Sequence, residues 1–238
     1  MWSSEQNIIF ISMKTFIFSL LFFTLFNSFQ IKAQRTLEVA VKPLEFALLN
    51  FEVNVAAGNE RARYGVYFGY RPSTQESGSI STQGHGMFGG YGSQNAFNRM
   101  YTSYTIGIYQ KTYLLKKQKI YAELDVYYRN WNFKDKYASH DGERYSFEGV
   151  RSENVNVYGL KLVGGKTIYL TKKDKQVKPY IDLYVGLGFR HQDITYETKN
   201  GTVNDINDGL YYEYKKEHFS YNYPTPQAGI KLGMMITK

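Results

Sequence analysis

Cysteine is absent from the 238-residue chain, and proline is scarce, with five in all. The missing thiols exclude a disulfide scaffold, a thiolate metal site and a cysteine nucleophile. Runs rich in Ala and Leu, the usual mark of helix, are nearly missing. Beyond the N-terminal segment no apolar run approaches the roughly twenty residues that a helical membrane span requires. What abounds is aromatic and small: 23 Tyr, 16 Phe and 21 Gly. That mixture favours extended structure. The length suits one domain with one core.

The formal net charge is +8. Its densest basic clusters, Lys116-Lys117-Gln118-Lys119 and Lys172-Lys173-Asp174-Lys175, fall between expected strands. They read as solvated turns, so no nucleic-acid partner is expected.

Met13-Lys14 precedes an apolar stretch from Thr15 to Phe26, followed by the polar NSFQIKAQ. A positive start, an apolar centre and a polar end closing on Ala33 describe an export signal over residues 1–33. Residues 1–12 lie upstream of the expected start and read as an early start assignment. Residues 34–238 are then the exported domain.

Eight segments of that domain alternate apolar and polar residues: 36–47, 50–57, 62–71, 100–112, 118–131, 154–170, 177–190 and 224–237. Period two over this length predicts strands with two chemically opposite faces. Three connections are short: AGNERA, LLKKQK and TKKDKQ. Three are long: 72–99, 132–153 and 191–223, rich in Gly, Ser, Asn, Asp and Tyr. Only the connection near Leu48-Leu49 breaks this alternation. Short turns on one side and long loops on the other is the plan of a membrane barrel with both termini at its inner end.

The faces sort the charges. In the fifth segment Ile120, Ala122, Leu124, Val126 and Tyr128 oppose Tyr121, Glu123, Asp125, Tyr127 and Arg129. The polar faces together hold Glu38, Glu52, Glu123, Asp125 and Asp182 against Lys42, Arg129, Lys161, Arg190 and Lys231. Five acids against five bases predicts a narrow, filled interior of ion pairs, because unpaired buried charges are costly. Gly164-Gly165 reads as a bulge. Tyr113, Tyr169 and Tyr180 near the short turns, with Tyr104, Tyr128, Trp131, Tyr158 and Phe189 near the long loops, read as two aromatic girdles around an aliphatic band. The expected fold is all-β: an eight-stranded antiparallel up-and-down transmembrane barrel with a filled lumen.

Through segments such as VKPYIDLYVGLGFR and PQAGIKLGMMI, residues 35–238 resemble the small eight-stranded outer-membrane β-barrel proteins of Gram-negative bacteria, the OmpA-transmembrane and OmpX-like kind. The chain ends Ile236-Thr237-Lys238, where many such barrels end on an aromatic residue. No periplasmic peptidoglycan-binding domain is expected after the last strand. The resemblance implies an outer-membrane location, contact with outer-membrane lipid and lipopolysaccharide, handling by the barrel-insertion machinery, and a monomer. A non-enzymatic role follows, structural in the envelope or through an unknown surface ligand met by the long loops.

No HExxH, GxSxG, phosphate loop or acidic metal loop occurs, so no metal or cofactor is expected. The four His (His85, His140, His191, His218) fall in or beside the long connections. The Gly-rich run from Gly78 to Gly92 reads as loop. His218 and Ser220 stand two apart, on one side of an extended chain. A Ser beside a His and an acid can cleave an ester. The pair resembles the His-x-Ser of outer-membrane lipid A deacylases, which are also eight-stranded barrels. That family's acid lies after its Ser, whereas here Glu213 or Glu217 would have to substitute. A deacylase-like esterase using His218 and Ser220 is therefore one alternative. A soluble, secreted, lipocalin-like binding barrel with an apolar interior is another.

Overall fold

A computed structural model describes residues 36–47, 49–79, 99–141, 145–171, 176–205 and 209–237. The export signal and most of the Gly-rich run, with His85, lie outside the described residues. Among them are nine strands and one short helix. These are β1 (Thr36–Val41), α1 (Pro43–Ala47), β2 (Phe51–Gly58), β3 (Ala62–Arg71), β4 (Ser77–Ser79), β5 (Thr102–Leu115), β6 (Ile120–Asp141), β7 (Tyr145–Tyr169), β8 (Val177–Asp205) and β9 (Gly209–Thr237).

Eight of the strands close a ring in the order β1-β2-β3-β5-β6-β7-β8-β9. Val39 shows the closure, facing Val55 of β2 on one side and Met234 of β9 on the other. Every neighbouring pair in the ring is antiparallel. The ninth strand, β4, lies outside the ring and pairs with β6 in parallel, from Ser77 opposite Tyr137 to Ser79 opposite Ser139. Eight was thus one strand too few.

The first segment also ends early, at Val41 rather than at residue 47. Pro43 has no amide hydrogen to give a ladder, but fits the first position of a helix. The chain then turns through Leu49, whose φ is 60°, and descends as β2.

The largest correction concerns the connections 132–153 and 191–223, read as loops. Strands β6 and β7 continue to residues 141 and 145, and β8 and β9 to 205 and 209. Four strands therefore climb beyond the ring as a sheet-like extension. Beyond Phe133 and Ile194 those stretches carry no sustained apolar face and hence no period-two signal, although each residue still has a backbone to pair. Register shifts at Phe133/Lys136, Glu148/Val150 and Thr198/Gly201 fall in this extension. Gly164 and Gly165, by contrast, pair regularly with Val185 and Tyr184, so no bulge occurs there.

Below, the lower end of the ring carries the short turns and the two described termini. Above, an apolar cluster including Met100, Tyr101, Phe133, Val155, Val157 and Ile194 sits buried where ring gives way to extension.

Candidate functional site: the charged interior and the upper rim

The burial pattern is opposite to that of a soluble protein. Val185 and Leu187 are each 67 % exposed, whereas Asp182 is fully buried and Glu52 is 1 % exposed. Parity dictates this along every ring strand. In β2 the outward Phe51, Val53 and Val55 alternate with the buried Glu52 and Asn54.

The buried charges meet across the ring. Lys42 Nζ lies 2.7 Å from Glu52, Lys161 Nζ 3.2 Å from Asp125, and Lys231 Nζ 2.7 Å from Glu123. Lys111 donates to Asp182 and stands 3.6 Å from Glu38, which also takes a hydrogen bond from Arg63. Arg63 and Lys111 were absent from the interior read from sequence. Their parity would have found them: Arg63 alternates with Gly65 and Tyr67, and Lys111 with Tyr109 and Gly107. Among the described residues the other two expected bases make no ion pair. Arg129 donates through Nε to Thr105 Oγ1 at 2.7 Å, and the Arg190 guanidinium lies 4.2 Å from the centre of the Tyr223 ring.

Tyrosine fills the space between the ions. Tyr67 donates to Asp125 at 2.9 Å, and Tyr180 donates to Glu38. The Lys111 and Lys161 ammonium groups lie 4.2 Å from the ring centres of Tyr121 and Tyr127, close enough for cation–π attraction. Each ring rests where a neighbouring strand has no side chain. A Cβ on Gly159 would stand 2.1 Å from the Tyr127 ring, and one on Gly165 would stand 2.5 Å from Tyr121.

The lower aromatic girdle is corrected by the same parity. Tyr113 and Tyr180 are buried inside, Tyr113 bonding Thr167 at 3.1 Å, and Tyr169 packs against Tyr180. Trp131 likewise packs against the internal cluster. Outside, the lower end is aliphatic, with Leu114, Leu115, Ile168, Leu170 and Val177 exposed. The upper outer face does carry an aromatic row. Tyr104 and Tyr128 lie 5.9 Å apart, Tyr128 and Tyr158 5.3 Å, and Tyr158 and His191 6.4 Å.

His218 and Ser220 sit at that rim, on the outward face of β9. Ser220 is opposite Asp193 of β8, and His218 is opposite Thr195. The two converge on a carboxylate that sequence reasoning missed. Ser220 Oγ donates to Asp193 Oδ1 at 2.5 Å, and His218 Nε2 lies 3.9 Å from the same oxygen. His191 joins them, with Nε2 3.1 Å from Asp193 Oδ1 and 3.4 Å from Ser220 Oγ. Its Nδ1 contacts Asn222 Oδ1 at 2.9 Å. Glu217 falls on the opposite face of β9, and the Glu213 side chain lies outside the described residues. The carboxylate beside Ser220 comes from the neighbouring strand, and only the pairing of β8 with β9 reveals it. Among the described residues no group of three His, Asp or Glu is arranged to hold a metal ion.

No family model and no curated protein matches the chain. Among solved structures, the chain is similar to a major outer membrane protein from Thermus thermophilus. The identity is 11 %, over 87 % of this chain and all of that one, with a TM-score of 0.38.

Proposed function

We propose that the protein is an outer-membrane β-barrel with a filled, non-conducting interior and a non-enzymatic role, structural in the envelope or in contact with a surface ligand. The observation that carries this reading is the outward apolar face of the ring. From Val177 to Phe189 the outward residues of β8 span about 40 Å along the strand, which at the usual tilt crosses an apolar band of about 25 Å. Water would make such a face costly, and lipid makes it favourable. A lipocalin-like soluble barrel would turn its apolar residues inward, the reverse of this arrangement. The Tyr104–Tyr128–Tyr158 row suits the outer lipid–water boundary. The four-stranded extension above it is the part presented to the surroundings.

The test is reconstitution. Folded protein should float with lipid vesicles, resist extraction at high pH, and show no stable conductance in planar bilayers. Soluble fractionation without detergent would overturn the membrane reading, and stable large conductance would overturn the filled interior.

The convergence on Asp193 supports a second reading, an esterase acting on acyl esters of outer-leaflet lipid. Ser220 Oγ would attack the ester carbonyl and pass its proton to His191 Nε2. The alcohol would leave with that proton, and water would release the acid from the acyl-serine. A fluorophosphonate probe separates the readings. Labelling that disappears in Ser220→Ala, with release of fatty acid from lipid, supports the esterase. No labelling of a folded, vesicle-inserted protein supports the non-enzymatic reading.

A further inference from the structure

Each interior carboxylate of the ring has its own cation: Glu38 with Arg63, Glu52 with Lys42, Glu123 with Lys231, Asp125 with Lys161, and Asp182 with Lys111. Glu153, higher up, is matched by Arg151 at 3.3 Å. Among the described residues, that leaves Arg129 and Arg190 without an ion pair of their own, although Arg129 acts on Glu52 from a distance. Arg190 is only 7 % exposed, and its Nε has no hydrogen-bond partner. The other orphaned charged groups of the ring, Arg63 Nε and Asp182 Oδ1, belong to side chains already ion-paired, and the orphaned Tyr121 hydroxyl and Asn50 Oδ1 are neutral.

The two arginines flank Tyr127 from strands on either side of β7. Arg190 pairs with Gly159 of β7, which in turn faces Tyr127, while Arg129 lies one inward position above Tyr127 on β6. Both act electrostatically on the Tyr127 hydroxyl. Arg71 at the mouth also lies within electrostatic reach of Arg129. A lysine placed so could shed its proton, but an arginine cannot. Arg190, buried as a permanent cation, needs a counter-charge, and the half-buried Arg129 adds a second positive group beside it.

We propose that Arg129 and Arg190 hold a phosphate-class oxyanion in the upper half of the ring. Arg129 keeps its Nε on Thr105 and offers its remaining N–H donors. Arg190, 4.2 Å over the Tyr223 ring, offers Nε and the terminal N–H groups that its bond to the Tyr223 hydroxyl leaves free, while Tyr223 donates to Gln192. Planar forks suit tetrahedral oxyanions, which accept from two guanidinium groups at once. The anion is either free phosphate or the phosphoryl group of a lipid. The inference depends on the interior ion pairs alone and holds whether or not Ser220 is catalytic.

The test uses the full exported chain, refolded free of lipid in a phosphate-free sugar detergent. Inorganic phosphate is titrated against chloride of equal ionic strength, reading the unfolding midpoint and the phosphorus-31 line width. In a second arm, vesicles of phosphatidylglycerol are compared with vesicles of a phosphate-free glycolipid. Phosphate should raise the midpoint and broaden the phosphorus line where chloride does not. If lipid is the source, only the vesicle comparison should show the rise. In Arg129→Gln/Arg190→Gln both responses should vanish, and the midpoint without phosphate should equal or exceed the wild type because two uncompensated charges are gone. Should that variant fail to fold, Arg190→Lys serves: it keeps the charge, loses the fork, and should bind about tenfold more weakly. Arg151→Gln, outside the site, should keep the full response. A wild type indifferent to phosphate in both arms, or an undiminished response in the folded arginine variants, would overturn the proposal.

Discussion

The ring and the four-stranded extension above it share the same strands, β6 to β9, yet dress them differently. In the ring, β8 alternates Leu183, Val185, Leu187 and Phe189 outside with the buried Asp182 and Arg190 inside. A few residues higher the outward positions of that strand become His191, Asp193, Thr195, Glu197 and Lys199. The backbone ladder is continuous through the change. What alters is the medium for which each face is suited. Pairing satisfies the backbone in either setting, so the side chains alone mark where lipid would stop.

The sharpest way to break this comparison is to put the same charge on both parts. Leu187→Arg places a guanidinium on the apolar band and should cost about 2–4 kcal/mol of folding free energy in vesicles. Thr195→Arg, on the same strand in the extension, should change it little. Urea titrations of vesicle-inserted protein, read by the gel shift between folded and unfolded forms, give both numbers. Equal effects would mean that the band does not face lipid.

Inside the ring the next effect is nearly as large. Asp182→Asn leaves Lys111 buried with only the more distant Glu38, and breaking such a pair costs about 3–5 kcal/mol. The exposed Asp135→Asn in the extension, whose carboxylate meets Lys199 at 3.3 Å, should leave the urea midpoint unmoved. A smaller contrast comes from two adjacent glycines of β7. Gly165→Ala drives a methyl into the Tyr121 ring and should cost about 1–3 kcal/mol. At Gly164 the nearest atom to an added Cβ is 3.9 Å away, so Gly164→Ala should be close to neutral.

Much of the ring was legible because period two leaves a double record, in which apolar residues mark one face and charges the other. Where parity was followed, as with Glu52 and Asn54 in β2 and with Tyr121, Glu123, Asp125 and Tyr127 in β6, reading and burial agree, whereas Arg129 is only half-buried and Asn130 is buried. Where location along the strand replaced parity, the reading failed. Tyr113 and Tyr180 lie near turns and looked like girdle residues, yet they share parity with Lys111 and Asp182. Arg63 and Lys111 were passed over because they sit close to strand ends, where a basic residue is usually solvated. The extension was illegible for a different reason. A strand without a continuous apolar face carries no alternation, so Glu148, Arg151 and Ser152 gave no sign that they belong to β7. Asp193 could not be assigned to Ser220 without the register of β8 on β9, which no local pattern encodes.

The smallest expected effect tests the extension alone. Asp135 in β6 and Lys199 in β8 reach across β7, and Ser152 of β7 adds a hydrogen bond to the Asp135 carboxylate at 3.2 Å. The Lys199 hydrogen bond, with help from Ser152, holds the Asp135 carboxyl below the ordinary carboxylate range, and the same bond raises the Lys199 ammonium. For a depressed carboxyl, the stabilisation is present above its unfolded value and is lost as pH falls through the folded one. For the raised ammonium it is present below the unfolded value and fades as pH rises through the folded one. The link is therefore complete across neutral pH and opens at both extremes, most readily in high salt. A carbon-13 titration of the Asp135 carboxyl should show its midpoint moving up in Lys199→Met, while the urea midpoint of the whole protein stays put. An unmoved carboxyl midpoint would mean that the two side chains do not meet in solution. A large fall in global stability would mean that the extension is bound into the ring's cooperative unit rather than appended to it.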